Sequence, residues 1–331
     1  MAELTKMTVI SIDELENELG VDKFPRFVND CEQAFLNQIS AIAARIVANE
    51  EIRAVFVSGP TASGKTTFTG RLLQALQQSG HPASLISLDD YYRTGTVAYD
   101  DQGRPDFESI STLDTDIMVE DFAGLLSGEI VHLPSFDFVN RRRLFLPERR
   151  VALAPGSIVL IEGLHGLSER IAGHLPRNQI FGVFIMPWCT LLDGRQLLGS
   201  RDLRMMRRIS RDVLHRGSTA LSTLDYWPMI DRTEQQFFPA YLAAADVYVN
   251  SCLPYEFCII PPLATAQIGQ SLELYEQGRL AGSIYHRDRQ GYADLDAAVS
   301  EARALLAACD RIPDADRQFV PARSILREFI E

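Results

Sequence analysis

The nine residues GPTASGKTT (59–67) carry the pattern G-x-x-x-x-G-K-T, with Gly59, Gly64, Lys65 and Thr66 at its fixed positions. That spacing makes a phosphate cradle. The glycines let the backbone curl until several N–H groups point at one spot, and a following helix adds the positive end of its dipole there. Lys65 is placed to reach the outer phosphates of ATP, and the Thr66 hydroxyl to ligate Mg²⁺. Gly59, Thr61, Ala62, Ser63, Gly64, Lys65, Thr66 and Thr67 are thus the residues expected around the nucleotide. The chain has only three lysines, Lys6, Lys23 and Lys65. Arginine does the ordinary surface work, and the loop keeps the compact point charge.

Three further groups could do chemistry beside such a loop. SLDDYYR (87–93) places two acids after an apolar run. Asp89 or Asp90 could orient an acceptor hydroxyl and take its proton; a turn-capping aspartate is the plain alternative. LIEG (160–163) places Glu162 at the end of another apolar run, where an acid would hold the Mg²⁺ shell; a buried carboxylate without a role would be costly. Arg204, Arg207, Arg208 and Arg211 recur at i, i+3, i+4 and i+7, one face of a helix over 201–215. Such a face could close over ATP and neutralise the transferring phosphoryl; otherwise it is a solvated stripe paired with Asp202 and Asp212. PSFDFVNRRR (134–143) joins aromatics, an acid and a basic run. It suits a planar base or a sugar ring, or is simply a hairpin with a charged tip.

The elements that must position these groups alternate. A long amphipathic helix is expected over 23–49, from apolar residues at steps of three and four. Strands are expected at 52–59, 82–90, 156–163, 179–187 and 245–251, and helices at 65–80, 114–127, 201–215 and 231–244. The alternation predicts an α/β P-loop NTPase fold: a parallel five-stranded sheet with helices on both faces, binding ligands beyond the C-terminal strand ends. The expected organisation is an N-terminal helical extension (1–50), a kinase domain (51–260) with a lid near 200–217 and a substrate hairpin near 130–150, and a helical C-terminal extension (261–331). Hydrophobic content of 46% and charged content of 23% over 331 residues fit a soluble enzyme. Net charge is −12, which opposes a broad nucleic-acid face. No apolar run is long enough to span a membrane, and no signal peptide is evident. Five scattered cysteines fit a reducing, cytoplasmic setting.

Taken in order, GPTASGKTT, SLDDYY, RPDFES, PSFDFVNRRR, VLIEGLHGL, LRMMRRISRDVLHRG and ADVYVNS resemble the uridine kinase / phosphoribulokinase family of P-loop kinases, over about 52–251. The likeness is nearest to a bacterial uridine-kinase-like branch often fused to an N-terminal TGS domain; this chain looks like a version without it. The resemblance implies that Asp89 is the catalytic carboxylate, the first acid of D-x-x-Y, with Tyr92 as its tyrosine. It implies that Glu162 lies near Mg²⁺, that Arg208, Arg211 and Arg216 are lid arginines near acceptor and ATP phosphates, and that Asp106 approaches the ribose. It also implies a small-molecule nucleoside or sugar substrate, no nucleic-acid or membrane partner, and assembly as a homo-oligomer. Four positions depart from uridine kinases. Phe136 and Arg141 stand where the base-reading hairpin has Tyr and His. Ser218 stands where the lid has a second arginine, and Asp225 where a glutamine follows.

The expected function is therefore an ATP/Mg²⁺-dependent kinase acting on a hydroxyl of a nucleoside, uridine or another pyrimidine nucleoside. A phosphoribulokinase-like variant would bind a sugar phosphate through Arg141 to Arg143. A tRNA dimethylallyltransferase shares the loop, but leaves FDFVNRRR, IEGLHGL and the arginine helix unexplained. A non-catalytic nucleotide switch is the remaining class, and it need not keep Lys65, Thr66, Asp89 and Glu162 together.

Overall fold

The computed structural model describes residues 6–95, 97–137, 140 and 142–331. Twelve short or medium strands and ten helices follow one another in this part of the chain. β1 (Thr8–Ser11), α1 (Ile12–Glu18) and α2 (Lys23–Val47) precede β2 (Ala54–Ser58), and α3 (Lys65–Gln78) leads to β3 (Ala83–Ser87). α4 (Thr115–Ser127) is followed by two nested antiparallel pairs, β4 (Val131–His132) with β7 (Arg150–Val151) and β5 (Ser135–Asp137) with β6 (Arg142–Leu144). Then come β8 (Ile158–Glu162), α5 (Glu169–Ala172), β9 (Ile180–Met186), β10 (Cys189–Asp193), β11 (Arg195–Gly199) and α6 (Ser200–His215). α7 (Ala220–Ala244), β12 (Val247–Asn250), α8 (Ile260–Glu276), α9 (Leu295–Cys309) and α10 (Arg327–Ile330) complete it.

The central sheet has the order β12-β9-β2-β8-β3, all parallel. β2, AVFVS, is buried at every residue, as a central strand covered on both faces must be. Its side chains divide by alternation: Val55 and Val57 join the larger apolar cluster with α2, α3, α6 and α8, while Ala54 and Phe56 join the smaller one with α4 and α5. The five predicted strands and the predicted α/β architecture are present.

Some expectations need correction. The helix expected at 231–244 begins eleven residues earlier, at Ala220, and carries Pro228 and Pro239 inside it. The strand expected to run to Asp90 stops at Ser87, and Leu88–Tyr91 form a 3₁₀ turn. β1, β10 and β11 form an unforeseen three-stranded sheet whose last strand runs directly into α6. α8 opens the helical stretch expected after residue 260; it starts at Ile260 with prolines at its first positions, where a missing N–H costs nothing. The C-terminal residues Val299, Ile325, Leu326 and Phe329 belong to the same apolar cluster as Val55, Val57 and Phe68.

Candidate active site

The phosphate loop leaves β2 at Ser58, whose hydroxyl donates to the carbonyl of Leu164 at 2.6 Å. Gly59 lies so close to β9 that a Cβ there would sit 2.1 Å from the Ile185 carbonyl oxygen; no side chain fits. Ala62 has φ +57°, a left-handed conformation for a non-glycine residue, and its carbonyl accepts from Arg207 Nη1 at 3.2 Å. Ser63 is buried, and its Oγ has no hydrogen-bond partner. Gly64, at φ +81°, begins α3. Lys65 turns its Nζ back onto the Pro60 carbonyl at 3.0 Å. Thr66 is exposed in the first turn of α3.

The acids meet this loop at the strand ends. Sheet register sets Glu162 opposite both Val57 and Ser87, and Ser87 Oγ donates to Glu162 Oε1 at 2.8 Å. Burial, reinforced by the charge of Asp89, pushes the Glu162 carboxyl up to about 7. Asp89 keeps solvent-accessible surface in the turn after β3, and the protein around it withdraws part of its carboxyl from water. That desolvation raises its pKa, Glu108 adds to the rise, and Lys65 and Arg216 oppose it. Its neighbour Asp90 is engaged otherwise. Asp90 Oδ2 accepts from Arg149 at 2.8 Å and Oδ1 from the Phe136 backbone N–H at 3.2 Å, which ties the hairpin to the turn. The two acids thus differ in surroundings: Lys65 acts on Asp89, whereas Asp90 is held to the hairpin.

Glu108 is a site residue that the sequence reading passed over. Its Oε1 accepts from Arg208 Nη1 at 3.1 Å. Its backbone carbonyl is 2.8 Å from His165 Nε2, which must therefore carry the proton, leaving Nδ1 to accept from Tyr241 at 2.7 Å. Burial holds His165 neutral, with its pKa down at about 4. Burial pushes up the carboxyl of Asp106, two residues earlier, and the backbone N–H groups of Ser109 and Glu108 oppose the rise. Asp106 lines a separate cleft of about 290 Å³ with Ser109, Arg170, Thr233 and Gln236.

The arginine face divides in two. Arg204 makes a bidentate pair with Glu234, at 2.9 and 2.7 Å. Arg207, fully buried, makes another with Glu256, at 2.8 and 2.7 Å. Neither is a solvated stripe, and Asp202 pairs with neither: it accepts from the Gly199 N–H at 2.8 Å at the helix start. Arg208, Arg211 and Arg216 gather instead on buried Asp212, with N···O separations of 3.2, 3.5 and 3.4 Å. Arg208 Nη1 also donates to Thr61 Oγ1 at 2.9 Å, so α6 holds the phosphate loop. The Arg208 guanidinium lies 5.3 Å from the ring centre of Tyr226 and 5.4 Å from that of Tyr285. These two rings stack at 4.5 Å, and Tyr285 donates to Asp212 Oδ2 at 2.7 Å.

Tyr92 and Phe136 pack with ring centres 5.5 Å apart, and Tyr92 OH lies 3.5 Å from the Phe107 carbonyl. Arg141 lies outside the described residues. Arg143 donates to Asp114 at 3.0 Å and Arg142 approaches Asp137 at 3.8 Å, so both of these arginines have carboxylate partners. Asp225 is buried and accepts from the backbone N–H groups of Ala293 and Asp294, at 2.9 and 2.7 Å; it anchors the C-terminal extension. Ser218 is likewise buried, its N–H on the Asp212 carbonyl at 3.2 Å.

Among the described residues no group of three His, Cys, Asp or Glu side chains is arranged to hold a metal. Thr66, Glu162 and Asp89 nevertheless supply hard oxygen donors beside the loop, the kind that suit Mg²⁺, an ion that takes much of its shell from phosphate and water. The residues fit that ion. No helix in the described part is long and apolar enough to cross a membrane.

Residues 54–254 match the family described as "Phosphoribulokinase / Uridine kinase family". A uridine kinase of Macrococcus caseolyticus is 25% identical over 195 residues, which cover 58% of this chain and 85% of that one. A uridine kinase of Staphylococcus haemolyticus is 24% identical over 195 residues, covering 58% and 84%. Among solved structures, a possible uridine kinase from Bacillus stearothermophilus aligns with a TM-score of 0.42 and 19% identity, covering 64% of this chain and 97% of that one.

Proposed function

The chain belongs to the phosphoribulokinase / uridine kinase family of kinases, and we propose that it transfers the γ-phosphoryl group of ATP to a hydroxyl of a nucleoside, uridine or another pyrimidine nucleoside. One observation carries this reading: Asp89 stands in the turn after β3, within electrostatic reach of Lys65 and Glu162 at the strand ends. Asp89 orients the acceptor hydroxyl and takes its proton as the new P–O bond forms. Its raised pKa brings it nearer to that of a useful base at neutral pH. Lys65 and the N–H groups of residues 61–67 hold the donor phosphates. Arg208 and Arg211 face charge that develops on the transferring group, and Arg216 extends the same cluster. Thr66 and Glu162 would hold Mg²⁺, which supplies charge neutralisation when bound. Tyr92 and Phe136 offer an aromatic wall to a planar base.

The uridine kinases among its relatives support a nucleoside acceptor. The engagement of Arg142 and Arg143 with Asp137 and Asp114 disfavours a sugar-phosphate acceptor read by that run. The test is ATP consumption with Mg²⁺ over the common nucleosides, ribulose 5-phosphate and a buffer blank. Turnover with a pyrimidine nucleoside is expected. Turnover with ribulose 5-phosphate alone would replace the acceptor, and silence across the panel with ATP still bound would leave a nucleotide-binding switch.

A further inference from the structure

The last residues of the chain lie on the phosphate loop, beyond the region that the family match covers. Ile325 is fully buried, and a Cβ built on Gly64 would stand 2.2 Å from its Cδ1; the isoleucine rests on the bare α-carbon of the loop glycine. One helical turn on, Phe329 is fully buried, with the Arg207 guanidinium 5.1 Å from its ring centre. Ser324 Oγ is 3.0 Å from Tyr255 OH. Residues 325 and 329 thus face inward as an i, i+4 pair. Residue 328, beside them on the turn, comes to the rim of the loop. It is a glutamate, and its Oε2 accepts from Thr67 Oγ1 at 3.3 Å.

An anion is thereby placed by the chain itself on the first turn of α3, where the loop and the helix dipole collect negative charge. Its field extends over the site: Glu328 acts on both Glu162 and Arg211. Arg211, whose Nε approaches Asp212 Oδ1 at 3.5 Å, lies within reach of that field.

We propose that the C-terminal strap, residues 324–331, is an internal occupant of the donor site, in which the Glu328 carboxylate takes the place of a donor phosphate oxygen on Thr67 and is turned aside when the donor binds. Ile325 and Phe329 keep the strap in place throughout, so only the glutamate side chain moves. The strap thus sets a threshold on donor affinity. This rests on the reading of residues 59–67 as the donor site.

The test is calorimetric titration of the full-length protein in Mg²⁺ with two probes, ATP and inorganic tripolyphosphate, on wild type and Glu328→Gln. Glu331→Gln is the control at the exposed end of the same turn. Glu328→Gln preserves shape and removes charge; its melting temperature is to be measured alongside. Both probes are expected to bind Glu328→Gln about tenfold more tightly than wild type, a difference of about 1.4 kcal/mol. The gap should narrow as salt is raised. Unchanged affinity for tripolyphosphate would overturn the proposal. So would weaker ATP binding, because the carboxylate would then be recognising the nucleoside end. A wild type that binds neither probe would overturn the donor-site reading itself, and the strap's role with it.

Discussion

Asp89 and Asp90 are adjacent acids in one short turn with different surroundings. Asp90 spends both oxygens on Arg149 and the Phe136 N–H, whereas Asp89 has Lys65, Glu108 and Arg216 around it. Asp89→Asn is expected to lower kcat by about 10²- to 10⁴-fold, the usual worth of a positioned base, with the melting temperature kept. Asp90→Asn is expected to keep kcat within a few-fold and to lose about 1 kcal/mol in urea unfolding, since its ion pair is part-exposed. Reversed outcomes would exchange the roles. His165 makes a separate prediction. Its folded pKa of about 4 lies below the ordinary 6.5, so the unfolded chain takes the proton first. The stability of the neutral imidazole is full above pH 6.5 and is lost as pH falls toward 4, about 3 kcal/mol in all. His165→Gln keeps a donor and an acceptor but cannot titrate, and its stability over that window should be flatter than that of wild type. At this scale the sequence was most legible in the loop, where backbone geometry demands glycine and chemistry demands lysine and threonine. Glu108 was hidden because its role comes from Arg208, one hundred residues away, and no local pattern records that meeting.

α6 carries its arginines at helical spacing, and spacing alone could not say which were structural. The partners decide. Glu234 and Glu256 take Arg204 and Arg207 into the interior, and they lie 30 and 49 residues away. Removing one member of a buried pair strands the other, at a cost of about 3–5 kcal/mol. Glu256→Gln should therefore lower the urea midpoint strongly, with no direct part in chemistry. Arg208→Lys is expected to lower kcat by about 10³-fold, the low end for an arginine facing a transferring phosphoryl, because a point charge cannot grip Thr61, Glu108 and Asp212 together. If Arg208→Lys kept its rate, α6 would be a scaffold only. α7 runs through Pro228, and the flanking Tyr226 and Trp227 are buried deeply enough to carry it. The two prolines at the start of α8 sit in its first turn, where no N–H is missed.

Across the whole molecule, the extension after residue 260 is continuous with the kinase body. Tyr285 reaches Asp212 and stacks on Tyr226, the N–H groups of Ala293 and Asp294 sit on Asp225, and Ile325 rests on Gly64. The amphipathic pattern of α9 announced that something helical would be there, but not that it would close over the lid. Contacts from 285, 293 and 325 each involve a single side chain or N–H in an irregular segment, which leaves no periodic trace. Such a continuous core, flanking a sheet whose two faces bury Val55 and Phe56 in alternation, should unfold as one unit. The two tryptophans report on opposite faces: Trp227 lies in the larger apolar cluster and Trp188 packs against the smaller. In Trp188→Phe, urea unfolding followed by Trp227 fluorescence should coincide with the far-UV circular dichroism transition, and wild-type fluorescence should share that midpoint. An early fluorescence change from Trp227, with the sheet signal intact, would mean that α6, α7 and the C-terminal strap open together before the kinase body does. The phosphate loop would then be gated by a detachable cover and not by one glutamate.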